Sequence, residues 1–168
     1  MTTGTRREIL RYLGTETPDA RLSGIIADIA AELETNAPPK SVYRIFDCKT
    51  SSALTEIDGL AINSAGLARH MAGCRRAVLF AATLGAGADV LIRRYTVSGM
   101  EKAAVAQAVC AALLEEYCDK IMADMAGEPL LAGWYPRARF SPGYGDFDIA
   151  YQKDILRLLR GDVRIGLT

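Results

Sequence analysis

A chain of 168 residues, 50% hydrophobic and 24% charged, has the profile of an ordinary globular protein with room for one sizeable core. Lys+Arg and Asp+Glu both total 20, so no net charge draws the chain to nucleic acid or to a membrane surface. The opening MTTGTRREIL carries no apolar signal core, and no run of about 18 apolar residues follows, so a cytoplasmic location is expected.

TRREILRYLG (5–14) begins with Thr5 and Glu8 at capping-box spacing, and Gly14 supplies a natural stop. Leu22, Ile25, Ile26, Ile29, Ala30 and Leu33 recur at three- and four-residue intervals, which predicts a helix ending before Pro38 and Pro39. SVYRIFDC (41–48) is rich in β-branched and aromatic residues and predicts a strand. LAIN (60–63) predicts a short second strand, leading into a helix around 64–71.

RAVLFAATLG (76–85) is a nearly continuous apolar run, the pattern of a strand covered on both faces. GADVLIRRYTV (87–97) then reads as helical. Ser98 and Glu101 form a second capping-box pair at the head of the longest helix, about 99–126, whose alanine-rich register is strongly helix-forming. Gly127 and Pro129 close it. PLLAGWYPRARF (129–140) predicts an extended segment, DIAYQKDILRLL (148–159) a last helix, and DVRIGLT (162–168) a strand. No repeat or linker divides the chain, and the element order is irregular, so the class is mixed α and β in one domain.

Cys48, Cys74, Cys110 and Cys118 contain no C-x-x-C pair, which suits reduced and mostly buried thiols. His70 is the only histidine, too little for a zinc site with ordinary ligand spacing or for a nucleophilic triad.

Three places carry possible chemistry. Gly85-x-Gly87, between a buried strand and a helix, has the look of a glycine turn in nucleotide folds, including S-adenosylmethionine-dependent methyltransferases. The third glycine and the acidic strand end are missing, and a plain strand-to-helix connection is the preferred reading. Glu115 and Glu116 point about 100° apart on their helix, and Glu116 lies near the face of Val109 and Ala112. That position suits either a ligand contact or ordinary trimming of an amphipathic face.

The third is RARFSPGYGDFD (137–148). Pro142 fixes φ, while Gly143 and Gly145 permit positive φ, so the backbone can fold tightly and present amides. Arg139 can grip a carboxylate bidentately, and Tyr144 can stack on a heteroaromatic ring. The alternative is a turn before a helix capped by Asp146 or Asp148. Chemistry alone leaves both open.

Arg139-x-Ser141-Pro142-Gly143-Tyr144, followed by GDFDIAYQKDIL, resembles the activation domain of cobalamin (vitamin B12)-dependent methionine synthase. The short, free-standing bacterial form of that family is the nearest in pattern. EILRYLG, NAPPKSVYRIF, FAATLGAGADVLIRR and the long helix with Cys110 and Glu116 resemble it in the same order, so the likeness spans nearly all of residues 1–168. The fold this implies is α+β: a single domain with a mainly antiparallel twisted sheet and helices packed around it.

The resemblance implies S-adenosylmethionine as ligand, in the reductive remethylation of the cobalamin held by a partner methionine synthase or related corrinoid protein. A flavodoxin-type reductant supplies the electron. The protein's part is positional, and it is an accessory component rather than an independent catalyst. By resemblance, Arg139 matches the arginine for the methionyl carboxylate, Glu116 the helical glutamate for the ligand's positive charge, and Ser141, Gly143 and Tyr144 the lining of the adenosine end. Phe140 and Ser141 stand where the long enzymes have Pro-Ala, and their Pro-x-Cys-Pro-Asp-His continuation is absent after Tyr144. No residue here matches the family's acidic contact near its N-terminus. The family continues past RIGLT with another strand and loop, so a domain shortened at its C-terminus is expected. A ligand-free interaction module for a corrinoid protein and a free-standing S-adenosylmethionine-dependent methyltransferase are the alternatives.

Overall fold

The computed structural model describes residues 1–125, 127 and 132–167. The fold is α+β, with helices α1 (Thr3–Tyr12), α2 (Ala20–Asn36), α3 (Ala65–His70), α4 (Gly85–Ser98), α5 (Met100–Met125), α6 (Tyr151–Leu159) and α7 (Gly161–Ile165). The strands are β1 (Lys40–Thr50), β2 (Leu54–Ile57), β3 (Leu60–Asn63) and β4 (Arg76–Thr83). Contacts gather the chain into two compact units, Met1–Lys40 with Ala82–Pro136, and Ser41–Ala81 with the segment from Arg137 on.

The first unit is helical, and α5 touches α1, α2 and α4. The α2 stripe behaves as its spacing predicts: Ile26, Ile29, Ala30 and Leu33 are buried, with Leu22 and Ile25 packed at the margin. On α5, Val105, Ala106, Ala108, Val109 and Ala112 face that core, and their small side chains leave room for three neighbours. Each fully buried Ile or Leu removed from water here stabilises by about 2 kcal/mol.

The helix caps differ from the capping-box expectation. Thr2, not Thr5, caps α1, its hydroxyl accepting the Thr5 N–H at 3.1 Å, while Thr5 is buried and Glu8 pairs with Arg11. The Ser98–Glu101 box does not form either. Ser98 still belongs to α4 and donates to the Arg94 carbonyl, Gly99 turns the chain at φ +140, and Glu101 pairs with Arg21 at 2.5 Å. A helix that continues through the candidate cap removes the extended backbone a cap needs. Pro129, the expected stop of α5, and the start of the expected 129–140 strand lie outside the described residues; 134–140 has no regular structure.

The second unit holds the sheet, ordered β3-β2-β1-β4, with β1–β2 and β2–β3 antiparallel. Strand β2 was not anticipated. Asp58 and Gly59, both at positive φ (48° and 81°), join it to β3 in a two-residue hairpin with Ile57 opposite Leu60. Val42, Phe46, Cys48, Ile57 and Ile62 form one side of a core that Phe147, Leu159 and Ile165 complete. β4 is less covered than its apolar run suggests: Ala77 and Leu79 are buried and the rest of the strand after Arg76 is half-buried.

The segment expected as a final strand is helix α7. Gly161 and Ile165 are its buried positions, four residues apart, a helical interval rather than a strand's alternation. Arg160, in the left-handed conformation (φ 54°), separates α7 from α6. Among the described residues no helix is long and apolar enough to cross a membrane.

Candidate functional site

The segment from Arg137 to Ala150 is an irregular loop of the second unit, and its own turns shape it. Tyr144 N–H donates to the Ser141 carbonyl (3.1 Å), Phe147 N–H to the Tyr144 carbonyl (2.9 Å), and Gly143 N–H to the Phe147 carbonyl (2.7 Å). Gly143 and Gly145 sit at φ +97 and +55, where a side chain is strained.

Two aromatic rings pin the loop from beneath. Phe147 is 3% exposed, and Phe140 stacks on His70 at 5.0 Å and on Phe147 at 6.2 Å. Helix α3 secures both ends of the same loop. At its N-terminus the Asp146 carboxylate accepts from Ser64 Oγ (2.6 Å), Ala65 N–H (2.7 Å) and Gly66 N–H (3.0 Å). A Cβ on Gly66 would stand 2.7 Å from Asp146 Oδ1, so a side chain there would push the carboxylate out of this position. At the C-terminal end His70 Nε2 donates to the Ala138 carbonyl (3.0 Å), and Arg137 spans the His70 and Ala72 carbonyls.

These contacts leave Arg139, Ser141 and Tyr144 exposed, Tyr144 by 63%, with its ring 6.0 Å from Phe140. Four of the five expected ligand residues, Arg139, Ser141, Gly143 and Tyr144, thus share one ordered loop. The fifth, Glu116, belongs to α5 in the first unit. It is half-buried while Glu115 is exposed, the facing its helical position predicts.

Asp146 does not cap the helix that follows it. It bonds the first N–H groups of α3, about 80 residues earlier, beside the N-cap Ser64, and α6 follows Ala150 without a side-chain cap, the Asp148 carboxylate accepting from the Ala150 N–H. The hydroxyl of Ser64, with the Gly66 and Ala65 N–H groups, holds the Asp146 carboxyl below its ordinary range. Asp146, Ser64, His70 and Arg137 are positioning residues that sequence reasoning missed. Only Ser64, just ahead of a helix, carries a local signal.

The Gly85-x-Gly87 turn has a packing explanation in the first unit. A Cβ on Gly87 would lie 2.1 Å from the Asn36 carbonyl oxygen, so the missing side chain is what lets α4 meet the end of α2. All four cysteines are free thiols. Burial pushes Cys110 up to about 11, with Asp89 adding to it, and burial raises Cys48 as well. No three potential metal-ligating side chains gather among the described residues. No family model matches the chain, and comparison with curated proteins finds no match.

Proposed function

We propose that the chain binds S-adenosylmethionine through the loop at 139–144 and serves a corrinoid protein as an accessory in reductive remethylation of its cobalamin. The observation that carries this reading is the Arg139-x-Ser141-Pro142-Gly143-Tyr144 motif, exposed on a loop that Phe140, Phe147 and Asp146 anchor. A loop already held in shape loses less entropy when a ligand arrives. Arg139 offers a planar fork for the methionyl carboxylate, Tyr144 an aromatic face for the adenine, and the 141–143 backbone hydrogen-bonding groups for the ribose end. The ligand supplies a sulfonium methyl group. The resemblance adds Glu116 as a partner for its positive charge.

Calorimetric titration of S-adenosylmethionine into the full chain tests the reading. The wild type is expected to bind one equivalent, and Arg139→Ala to weaken binding about tenfold or more, as loss of a charge-assisted hydrogen-bond pair does. Tyr144→Ala and Glu116→Gln report on the adenine and sulfonium contacts. No heat of binding from the folded wild type would overturn the proposal.

A second reading is an interaction module that needs no ligand, favoured by two large apolar side chains exposed on this loop, Tyr144 at 63% and Ile149 at 58%. Capture of a purified corrinoid protein, unchanged by S-adenosylmethionine, would select it. Against the methyltransferase alternative, packing against Asn36 gives Gly87 a structural reason of its own.

A further inference from the structure

We propose a second ligand site, for a small phosphate-class oxyanion, in the open depression between the β1–β2 turn and α3. The depression has a volume of about 410 Å³ and lies within the second unit. Thr50, Ser51 and Ser52 form one wall, Ala68 and Arg69 of α3 the other, and Gly73 closes one end. None of Arg139, Ser141, Gly143 and Tyr144 lines it, so this site and the S-adenosylmethionine loop succeed or fail separately.

Three observations point to an oxyanion. The first is Arg69, which is exposed and whose guanidinium makes no hydrogen bond or ion pair among the described residues. Two other arginines of this unit are committed: Arg137 to the His70 and Ala72 carbonyls, and Arg44 to the Leu158 carbonyl. A free guanidinium fork matches the geometry of phosphate oxygens.

The second is the run of three consecutive hydroxyl residues, Thr50 to Ser52, along the opposite wall. The Ser51 backbone N–H closes the turn onto the Leu54 carbonyl, but the Ser51 and Ser52 hydroxyls have no partner among the described residues. The third lies deeper. Thr50 Oγ1 is shut off from solvent without a hydrogen-bond partner among the described residues, and so is Oγ1 of Thr55, its direct cross-strand neighbour. Unpaired buried hydroxyls are rare enough to need an explanation, and a small rotation of Thr50 would bring its hydroxyl to an anion in the depression.

The surrounding charges agree. Arg69, in the last turn of α3, is the cation an anion in the depression would meet. Asp146, the acid at the N-terminal end of α3, is spent on Ser64, Ala65 and Gly66. Lys49, next to Thr50, faces Glu56 across the strands. The ligand this set selects is small and anionic, either free phosphate or the phosphate group of a monoester.

The experiment is a titration of inorganic phosphate into the full-length protein at low, constant ionic strength, read by amide NMR shifts. Saturable shifts centred on Ser51, Ser52, Arg69 and Gly73 are expected, with none from chloride at the same ionic strength. Arg69→Gln should raise the dissociation constant about tenfold, and the Ser51→Ala/Ser52→Ala pair should raise it severalfold without touching the cation. A parallel titration with glycerol phosphate separates the sources: tighter binding than phosphate identifies a monoester, equal or weaker binding the free anion. Shifts that stay linear, or spread evenly over all arginines, overturn the site. So does unchanged affinity in both variants.

Discussion

Asp146 turns a loop on one side of the second unit into an extension of α3, and its charge is central to that role. Its carboxylate accepts from one hydroxyl and two backbone N–H groups at a helix N-terminus, where negative charge is favoured, so its folded pKa lies below the unfolded value of about 3.9. A carboxyl shifted this way adds stability above the unfolded pKa and loses it as pH falls through the folded one. Asp146→Asn keeps the shape and removes the charge. Its melting temperature should fall below the wild type's at pH 7, and the two curves should converge as pH drops below about 4. A gap of constant size down to acid would mean that the charge contributes nothing. Ser64→Ala, which removes the α3 cap and a donor to Asp146, should cost about 1 kcal/mol in denaturant unfolding at neutral pH.

At the scale of elements, the strongest constraint is one absent side chain. Gly87 faces the Asn36 carbonyl oxygen so closely that a Cβ would meet it at 2.1 Å, and that oxygen belongs to backbone at the end of α2. Neither helix can yield by a rotamer change, so one must shift. Gly87→Ala is therefore expected to destabilise by about 3 kcal/mol, the upper end for overpacking, although alanine is the better helix former. Urea unfolding followed by far-UV circular dichroism measures it, and a neutral or stabilising result would show that α4 and α2 separate cheaply. This cause was not legible in the sequence, where Gly85-x-Gly87 offered only a turn and a weak nucleotide pattern. Other elements were legible. The α2 stripe is readable from spacing alone, because burial on one face of a helix leaves a periodic mark. β2 was missed, although Asp58-Gly59 between two short apolar runs is a hairpin signal that could have found it. The caps were not legible, because Thr2 and Thr5 carry the same chemistry three residues apart, and only the helix start decides between them.

For the whole molecule, what local pattern specifies and what distant contacts specify fall apart cleanly. The mixed α and β class follows from helical spacing and β-rich runs within short windows. The loop's shape does not, because Asp146 finds Ser64, and Arg137 finds His70, across more than 60 residues. The expected ligand residues Arg139, Ser141, Gly143 and Tyr144 rest on their motif alone, while the residues that hold their loop in place were visible only once α3 and the loop were seen together. Charge is also a whole-molecule property. Basic and acidic side chains balance at 20 each, and the isoelectric point is about 6.6. Near that pH no net repulsion keeps copies apart, while Val97 and Met100 remain about nine-tenths exposed (90% and 89%) around the α4–α5 turn. Light scattering across pH 5 to 9 should therefore show a solubility minimum near pH 6.6, relieved on the alkaline side as the chain becomes net negative. Replacing both Val97 and Met100 by Ser adds no charge. It should raise solubility at every pH and leave the minimum in place. A minimum that moved with the double variant would assign the association to specific ionic contacts near that turn, and one that neither moved nor weakened would place the sticky surface elsewhere.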